Sequence, residues 1–388
     1  MNQKILIFAL ESINNIGEEL LRKSTEYLVR QISSDAEITI AQLKPNRNLV
    51  GRLYFVDYIL GAILMRVALR FKGTLSYRIK KVSYKIEYDR YYSHLISKTD
   101  KIIMPIGMLK YGTQDFSYLF YLINKIATKY NKGVMMSAMS PQEANKDDWR
   151  YHQLVKAVNF PSVKMVTTRD GESGVNIIKR DYLHRDISCD YVGDPALWIP
   201  EAFKVKKEKT VSAVPWVGVN IIRKGIFKDY NNTSTDEHLK HVYTQLITLL
   251  EKRHWRWSVF CNGMASDWQV LCELQSEIGF TDDHISANYN DSRSYAEMVS
   301  RFDVVFGARL HSCITSVAVG TPVVGFIWED KLKYFCETMG IDHFFFNPSD
   351  MTADKVLSAM EKAMKFDYLN REYYKLKTKE SIKTFLKL

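Results

Sequence analysis

Arg309 and His311 stand two residues apart in DVVFGARLHSCITSVAVGTPVVGFIWEDK, residues 303–331. A guanidinium offers a planar fork for a carboxylate or phosphate, and an imidazole titrates near neutral pH. Together they suit the capture of a small anion and the movement of a proton beside it. The flanking residues say where the pair must sit. Residues 304–307 form an apolar, β-branched run too short for a helix, and residues 323–327 form another. Between them, Leu310, Ile314, Val317 and Ala318 share one helical face. Gly320 falls where a left-handed C-terminal cap belongs, and Pro322 starts the next strand. This is a strand–helix–strand unit of the right-handed parallel kind. Arg309 and His311 therefore fall at the carboxyl end of a strand and in the first turn of a helix. Open α/β sheets bind ligands there, and helix N-termini favour anions. The same spacing also accommodates a plainer arrangement, in which His311 caps its helix and Arg309 joins a surface ion pair.

The elements around this unit repeat its pattern. With 388 residues and 46% hydrophobic content, the chain can fill two cores. Strands are predicted over 4–10, 37–43, 101–106, 133–138, 163–168 and 188–192; residues 14–21 turn into a helix with Leu20, Leu21, Tyr27 and Leu28 inward, and further helices are predicted over 116–130, 148–159 and 172–179. Lys204, Lys206, Lys207 and Lys209 then make a polar stretch without apolar period, read as a hinge over 201–212. Strands follow at 217–222, 258–262 and 284–287, with helices from about Thr235 and over 267–278. Ser234 and Glu237 stand in capping-box spacing. The fold class expected is α/β, two Rossmann-like domains facing a cleft, each with a parallel sheet. Their expected limits are 1–200 and 213–366, with a last helix in 367–388 that packs back on the first. Cys189, Cys261, Cys272, Cys313 and Cys336 show no C-x-x-C pair, which points to a reducing compartment without a disulfide framework or zinc site. The apolar run 5–10 is too short for a signal peptide, and no stretch reaches membrane-spanning length, so a cytoplasmic protein is expected.

Residues 47–92 break the alternation. Between Arg47 and Arg90 lie ten Lys or Arg against three acids, a net +7 of the chain's formal +10. The apolar part, LYFVDYILGAILMRVALRF, is interrupted by Asp57, Arg66 and Arg70, as in a helix lying along an anionic membrane surface rather than spanning it. The alternative is a helical excursion that covers the first core, its lysines merely solvated. No nucleic-acid reader motif accompanies the charge, so nucleic acid is not the expected partner.

Taken together, these segments resemble the polysaccharide pyruvyl transferase family. GARLHSCITSVAVGTPVVGFIWEDK is similar to the family's R-L-H segment, small-residue helix, G-x-P-V strand and following lysine. TTRDGES (167–173) resembles its R-D-x-x-S turn, VGDPALWIP (192–200) its D-P turn, and NNIGEELL (14–21) its N-x-G-D-E element, with Glu18 in place of the aspartate. Two departures stand out: the glycine-rich turn after the third strand reads PIGMLKYG, and the basic insertion has no counterpart. The resemblance implies transfer of the enolpyruvyl unit of phosphoenolpyruvate to two hydroxyls of one sugar, forming a ketal. Donor binding would then fall to Arg309, Leu310 (through its backbone), Arg223 and Lys331, with His311 as general acid. Asn15, Gly17, Glu18 and Trp328 would serve the acceptor side, Trp328 by stacking on a sugar. Phosphoenolpyruvate and a sugar acceptor, in lipid-linked form, are the implied partners; neither a metal nor a further cofactor is called for.

Other conspicuous residues have structural readings: Asp170 as cap of the helix after it, Arg169 as the pin of that turn, and Asp194–Pro195 as a rigid turn. Within enzymes the competing reading is a nucleotide-sugar glycosyltransferase, suggested by Glu329 and Glu337, eight apart, although they follow rather than precede the G-x-P-V strand. A catalytically silent scaffold for glycan assembly is the third.

Overall fold

The computed structural model describes residues 2–10, 15–45, 54–111, 116–208, 214–230, 232–286, 291–366 and 370–388. The chain divides into two units. The first comprises residues 1–12, 25–192 and 379–388, and the second residues 13–24 and 193–378. The division at Val192 and Gly193 lies ahead of the expected hinge over 201–212, of which residues 209–212 lie outside the described ones. Lys207 belongs to the second unit, where its ammonium donates to the carbonyls of Ser300 (3.1 Å) and Phe302. The other difference is at the termini. Residues 13–24 count with the second unit and only the last ten residues with the first, which no local pattern marks.

The first unit holds a six-stranded parallel sheet of β1 (Lys4–Ala9), β2 (Glu37–Gln42), β3 (Lys101–Met104), β4 (Gly133–Met139), β5 (Val163–Thr168) and β6 (Ser188–Tyr191), in the order β2-β1-β3-β4-β5-β6. The inner strands β1, β3 and β4 are near-continuous buried apolar runs because helices cover both faces of such sheets, while the edge strands β2 and β6 are more polar and exposed. The PIGMLKYG turn follows β3. Gly107 there has φ +65°, a left-handed conformation that suits glycine, and its carbonyl accepts from Arg169 Nη2 at 3.1 Å. Asp170 makes no capping bond to the helix Gly171–Ile177. It instead accepts from the Ser140 hydroxyl at 2.5 Å, which ties the β4 and β5 turns together.

The basic insertion is a pair of helices, Phe55–Ala68 and Gly73–Ser97. They run antiparallel: Ser76 Oγ donates to the Ala68 carbonyl, Ser83 Oγ to the Gly61 carbonyl, and Arg90 pairs with Asp57. Tyr84, Tyr88, Tyr91, Tyr92 and Ile96 of the longer helix are buried, with the Tyr92 hydroxyl donating to Leu43 O and its ring edge-on to Phe8 at 5.5 Å. The longer helix thus covers the core, as the plainer reading of the insertion held. The shorter helix packs on the longer and turns an apolar face outward.

The second unit holds a five-stranded parallel sheet of β7 (Trp216–Asn220), β8 (Arg256–Phe260), β9 (Val304–Gly307), β10 (Val323–Phe326) and β11 (Phe345–Phe346), ordered β11-β10-β9-β7-β8. Its order reverses between β7 and β9, which pair directly in the register Val217 to Val304. The strand expected at 284–287 is a single bridge from Ile285 to Val259 after a short turn, and Ala287 lies outside the described residues. The cap of the helix Asp236–Lys252 is Thr235, accepting from His238 N at 3.1 Å, rather than Ser234. Gly193, at the start of this unit, lies against the helix Arg371–Lys387. A Cβ there would come within 2.8 Å of the Tyr374 carbonyl oxygen, and the Thr378 hydroxyl donates to Gly193 O.

Candidate active site

The reversal between β7 and β9 opens a crevice at the carboxyl edge of the second sheet, where doubly wound folds bind ligands. Asn220, the last residue of β7, is fully buried and bridges it. Its Oδ1 accepts the backbone N–H groups of Arg309 (3.0 Å) and Ala308 (3.3 Å), while its Nδ2 donates to Phe260 O and to Asn262 Oδ1. One amide therefore fixes the ends of β7, β8 and β9 relative to one another. Arg309 is the N-cap of the helix Leu310–Val319 without making a side-chain cap bond, and His311 is the second helical residue rather than its cap.

Asp267, fully buried in the first turn of the helix Ala265–Ile278, organises the cations. It accepts from Arg309 Nε at 3.1 Å and Nη2 at 2.5 Å, and from the backbone N–H of Arg223 at 2.9 Å. The Arg309 side chain is 16% exposed, so the pair is close to a buried one, and Asp267 sets the guanidinium's orientation. The third nitrogen, Nη1, makes none of these bonds. Arg223 shares the cluster through its backbone, while its guanidinium pairs with Asp229, whose side chain is 50% exposed, and donates to the Lys224 carbonyl. An arriving anion can exchange with the solvent-facing Asp229 at low cost, because an exposed ion pair contributes little. Asp267 is not exchangeable in that way.

Lys331 pairs with the buried Glu329 at 3.1 Å. Glu329 also bonds the hydroxyl of Tyr230, whose pKa is pushed up to about 12 by burial of the hydroxyl and by that carboxylate. Part of the Tyr230 residue remains accessible, and its ring stands nearly perpendicular to that of Trp328, with centroids 4.9 Å apart. Trp328 itself is buried, and its indole N–H donates to the Ala308 carbonyl at 2.7 Å. Its place is beneath the β9 turn, and the aromatic surface at this edge belongs to Tyr230.

The N-terminal segment completes the site. Ile16 N donates to Asn262 O at 3.2 Å, and Asn15 Oδ1 accepts from Gly17 N at 3.1 Å. Gly17 lies against the buried imidazole of His311: a Cβ at this position would fall 2.1 Å from Nδ1 and 2.4 Å from Cγ. Only glycine allows that approach. Glu18 is buried, and its neighbour Glu19 accepts from Ser292 N at 3.1 Å, holding the segment to the start of the helix Ser292–Arg301. Gly17→Ala should therefore force either the loop or the imidazole to move. The expected result is a loss of roughly 1–3 kcal/mol by overpacking, with a tenfold or larger fall in turnover. Urea unfolding and steady-state turnover measured on one preparation check it, and an unaltered turnover would separate Gly17 from His311.

All nine residues singled out in the sequence thus lie in the second unit. Arg309, Arg223, Lys331 and Trp328 meet around Asp267, Tyr230 and Glu329, while Gly17 meets His311, with Asn15 bonded to the Gly17 N–H and Glu18 buried beside it. Asn220, Asp267 and Tyr230 escaped the sequence reading. The signal for Asn220 was present: a lone amide ends the apolar strand WVGVN, where a polar side chain must serve the crevice or be satisfied within it.

A profile of the family described as polysaccharide pyruvyl transferase matches residues 15–330, from the Asn15 loop through Asp330. The chain belongs to the polysaccharide pyruvyl transferase family. It is therefore a transferase acting in polysaccharide biosynthesis, and its acceptor is a sugar or polysaccharide. No curated protein matches this pyruvyl transferase in sequence. Among solved structures it is similar in fold to the UDP-GlcNAc 2-epimerase of Methanocaldococcus jannaschii (TM-score 0.61, 10% identity, 100% of both chains covered). A putative UDP-N-acetylglucosamine 2-epimerase from Listeria monocytogenes is equally similar (TM-score 0.61, 9% identity, covering 100% of this chain and 96% of that one). At such identities the likeness is one of fold, that of two Rossmann-like domains.

Proposed function

We propose that this pyruvyl transferase takes phosphoenolpyruvate as donor and builds a pyruvate ketal on two hydroxyls of one sugar. The acceptor is a cell-surface polysaccharide or its lipid-linked precursor, met at the cytoplasmic face of the membrane. The observation that carries the reading is the Asp267–Arg309 pair, which holds a guanidinium in a fixed orientation at the switch point, in the turn that leads into His311. Arg223 and Lys331 add two cations whose acidic partners, Asp229 and Glu329, differ in accessibility. A phosphate fits the Arg223 side, where the partner is readily displaced, and the donor carboxylate fits Arg309 and the N–H groups around Leu310.

In this scheme His311 delivers a proton to the donor methylene, leaving an oxocarbenium-like carbon. A sugar hydroxyl adds to that carbon and its proton returns to the imidazole. The carbon–oxygen bond to phosphate then breaks, the second hydroxyl closes the ring, and its proton leaves with the phosphate. Two hydroxyl protons are thus distributed to one methyl group and one phosphate. No metal or further cofactor is required by this chemistry.

Phosphoenolpyruvate should raise the thermal midpoint by preferential binding to the native state, and nucleotide sugars should leave it near the unliganded value. Thermal melts with each donor check this. The reverse ranking would favour a nucleotide-sugar glycosyltransferase.

A further inference from the structure

Among the described residues, most of the large apolar side chains that face solvent lie in the helix pair of the basic insertion. Phe55, Val56, Leu60 and Ile63 lie along the outer face of the helix Phe55–Ala68, and Leu69 and Leu75 continue the row into the next helix, each 47% or more exposed. They do not serve the first unit's core, which the longer helix already covers with Tyr84, Tyr88 and Tyr92. A contiguous apolar surface of this kind marks an interaction site.

The charge around it selects the partner. Arg66, Arg70, Lys72 and Arg78 are exposed along the same row. The one acid in this part of the pair, Asp57, is already matched by Arg90. A protein partner would have to bring both apolar and acidic groups in register, whereas an anionic lipid surface presents phosphates above hydrocarbon everywhere. Long cationic side chains beside apolar ones can then reach the headgroups while the apolar row enters the acyl boundary. At about 21 Å for its 14 residues, the shorter helix cannot span a hydrocarbon core of about 30 Å. Among the described residues no helix is long and apolar enough to cross a membrane. The geometry is that of a helix lying in the interface.

We propose that the outer face of the Phe55–Ala68 helix, continued to Leu75, is a docking surface for an anionic lipid membrane. It stands independently of the donor chemistry. Lys81 is not part of it, because its ammonium bonds Gln153 and lies over the Tyr121 ring.

Co-sedimentation of the full chain with mixed phosphatidylglycerol–phosphatidylcholine vesicles and with pure phosphatidylcholine vesicles tests the surface. The chain should pellet with the mixed vesicles, less so as salt rises, and weakly with the neutral ones. The charge variant Arg70→Ser/Lys72→Ser/Arg78→Ser should lose about a hundredfold in vesicle affinity, as three cations near an anionic surface imply. The apolar variant Val56→Asn/Leu60→Asn/Ile63→Asn should lose binding at every salt concentration. Both substitution sets are on the surface, so circular dichroism and the donor-induced midpoint shift should stay as in the parent. Failure of the parent chain to pellet with mixed vesicles would overturn the proposal, as would full binding by the folded apolar variant. So would a parent dimer that the apolar variant converts to monomer without any vesicle binding, which would assign the face to a second copy. A missing donor shift with vesicle binding intact would count against the donor reading alone.

Discussion

Asp267→Asn should destabilise the second unit by about 3 kcal/mol, at the lower end of what breaking a buried ion pair from one side costs. Asp267 has no solvent exposure and accepts three bonds, two from the Arg309 guanidinium and one from the Arg223 backbone. The amide is nearly isosteric, but it removes the charge that balances Arg309 and offers one acceptor atom where the carboxylate offers two. Arg309 is 16% exposed on its side chain, so water recovers part of the loss, hence the lower end of the range. Donor affinity should fall with stability, because the guanidinium loses the partner that orients it. Urea unfolding followed by tryptophan fluorescence, with calorimetric titration of phosphoenolpyruvate, measures both quantities. An unchanged unfolding midpoint would remove Asp267 from the centre of the site.

His311→Gln should lower turnover by ~10²–10⁴-fold, the contribution typical of a lost general acid, while donor affinity changes little. Glutamine keeps a polar side chain in the place that Gly17 leaves open, yet it carries no group that titrates near neutral pH. Arg309→Lys provides the contrast. The positive charge persists, but a lysine cannot meet both oxygens of Asp267 and a ligand anion as a fork does, so donor binding itself should weaken. The helix N-terminus disfavours a charged imidazole and a bound dianion favours it, so the working proton is expected to be taken up in the donor complex. Turnover against pH for the parent and both variants, beside donor affinity, separates the roles. Full turnover in His311→Gln would end the acid assignment.

The strands and their order along the chain were legible from local pattern. Residues 163–168 and 304–307 read as strands with the bounds the structure has, because β-branched runs bounded by turn residues have few other stable conformations. Gly320 sits at φ +83° as a C-terminal cap, since the chain reversal before Pro322 needs a left-handed residue. The neighbourhood of Arg309 and His311 at a strand end was equally visible, being only two residues long. Three decisions lay beyond such reading. Asp267 is 42 residues from Arg309, and nothing in the local sequence distinguishes a carboxylate that will be buried against a guanidinium from one that will be solvated. Gly17 is far from His311 along the chain, and its role comes from the missing Cβ at a contact made by tertiary packing. In the insertion, composition revealed the charge and the apolar content, but which helix covers the core and which faces outward depended on the packing of the Tyr84–Tyr92 face against the sheet. Local conformational preference is written in neighbouring residues and can be read there; burial and pairing depend on partners that only the folded chain brings together.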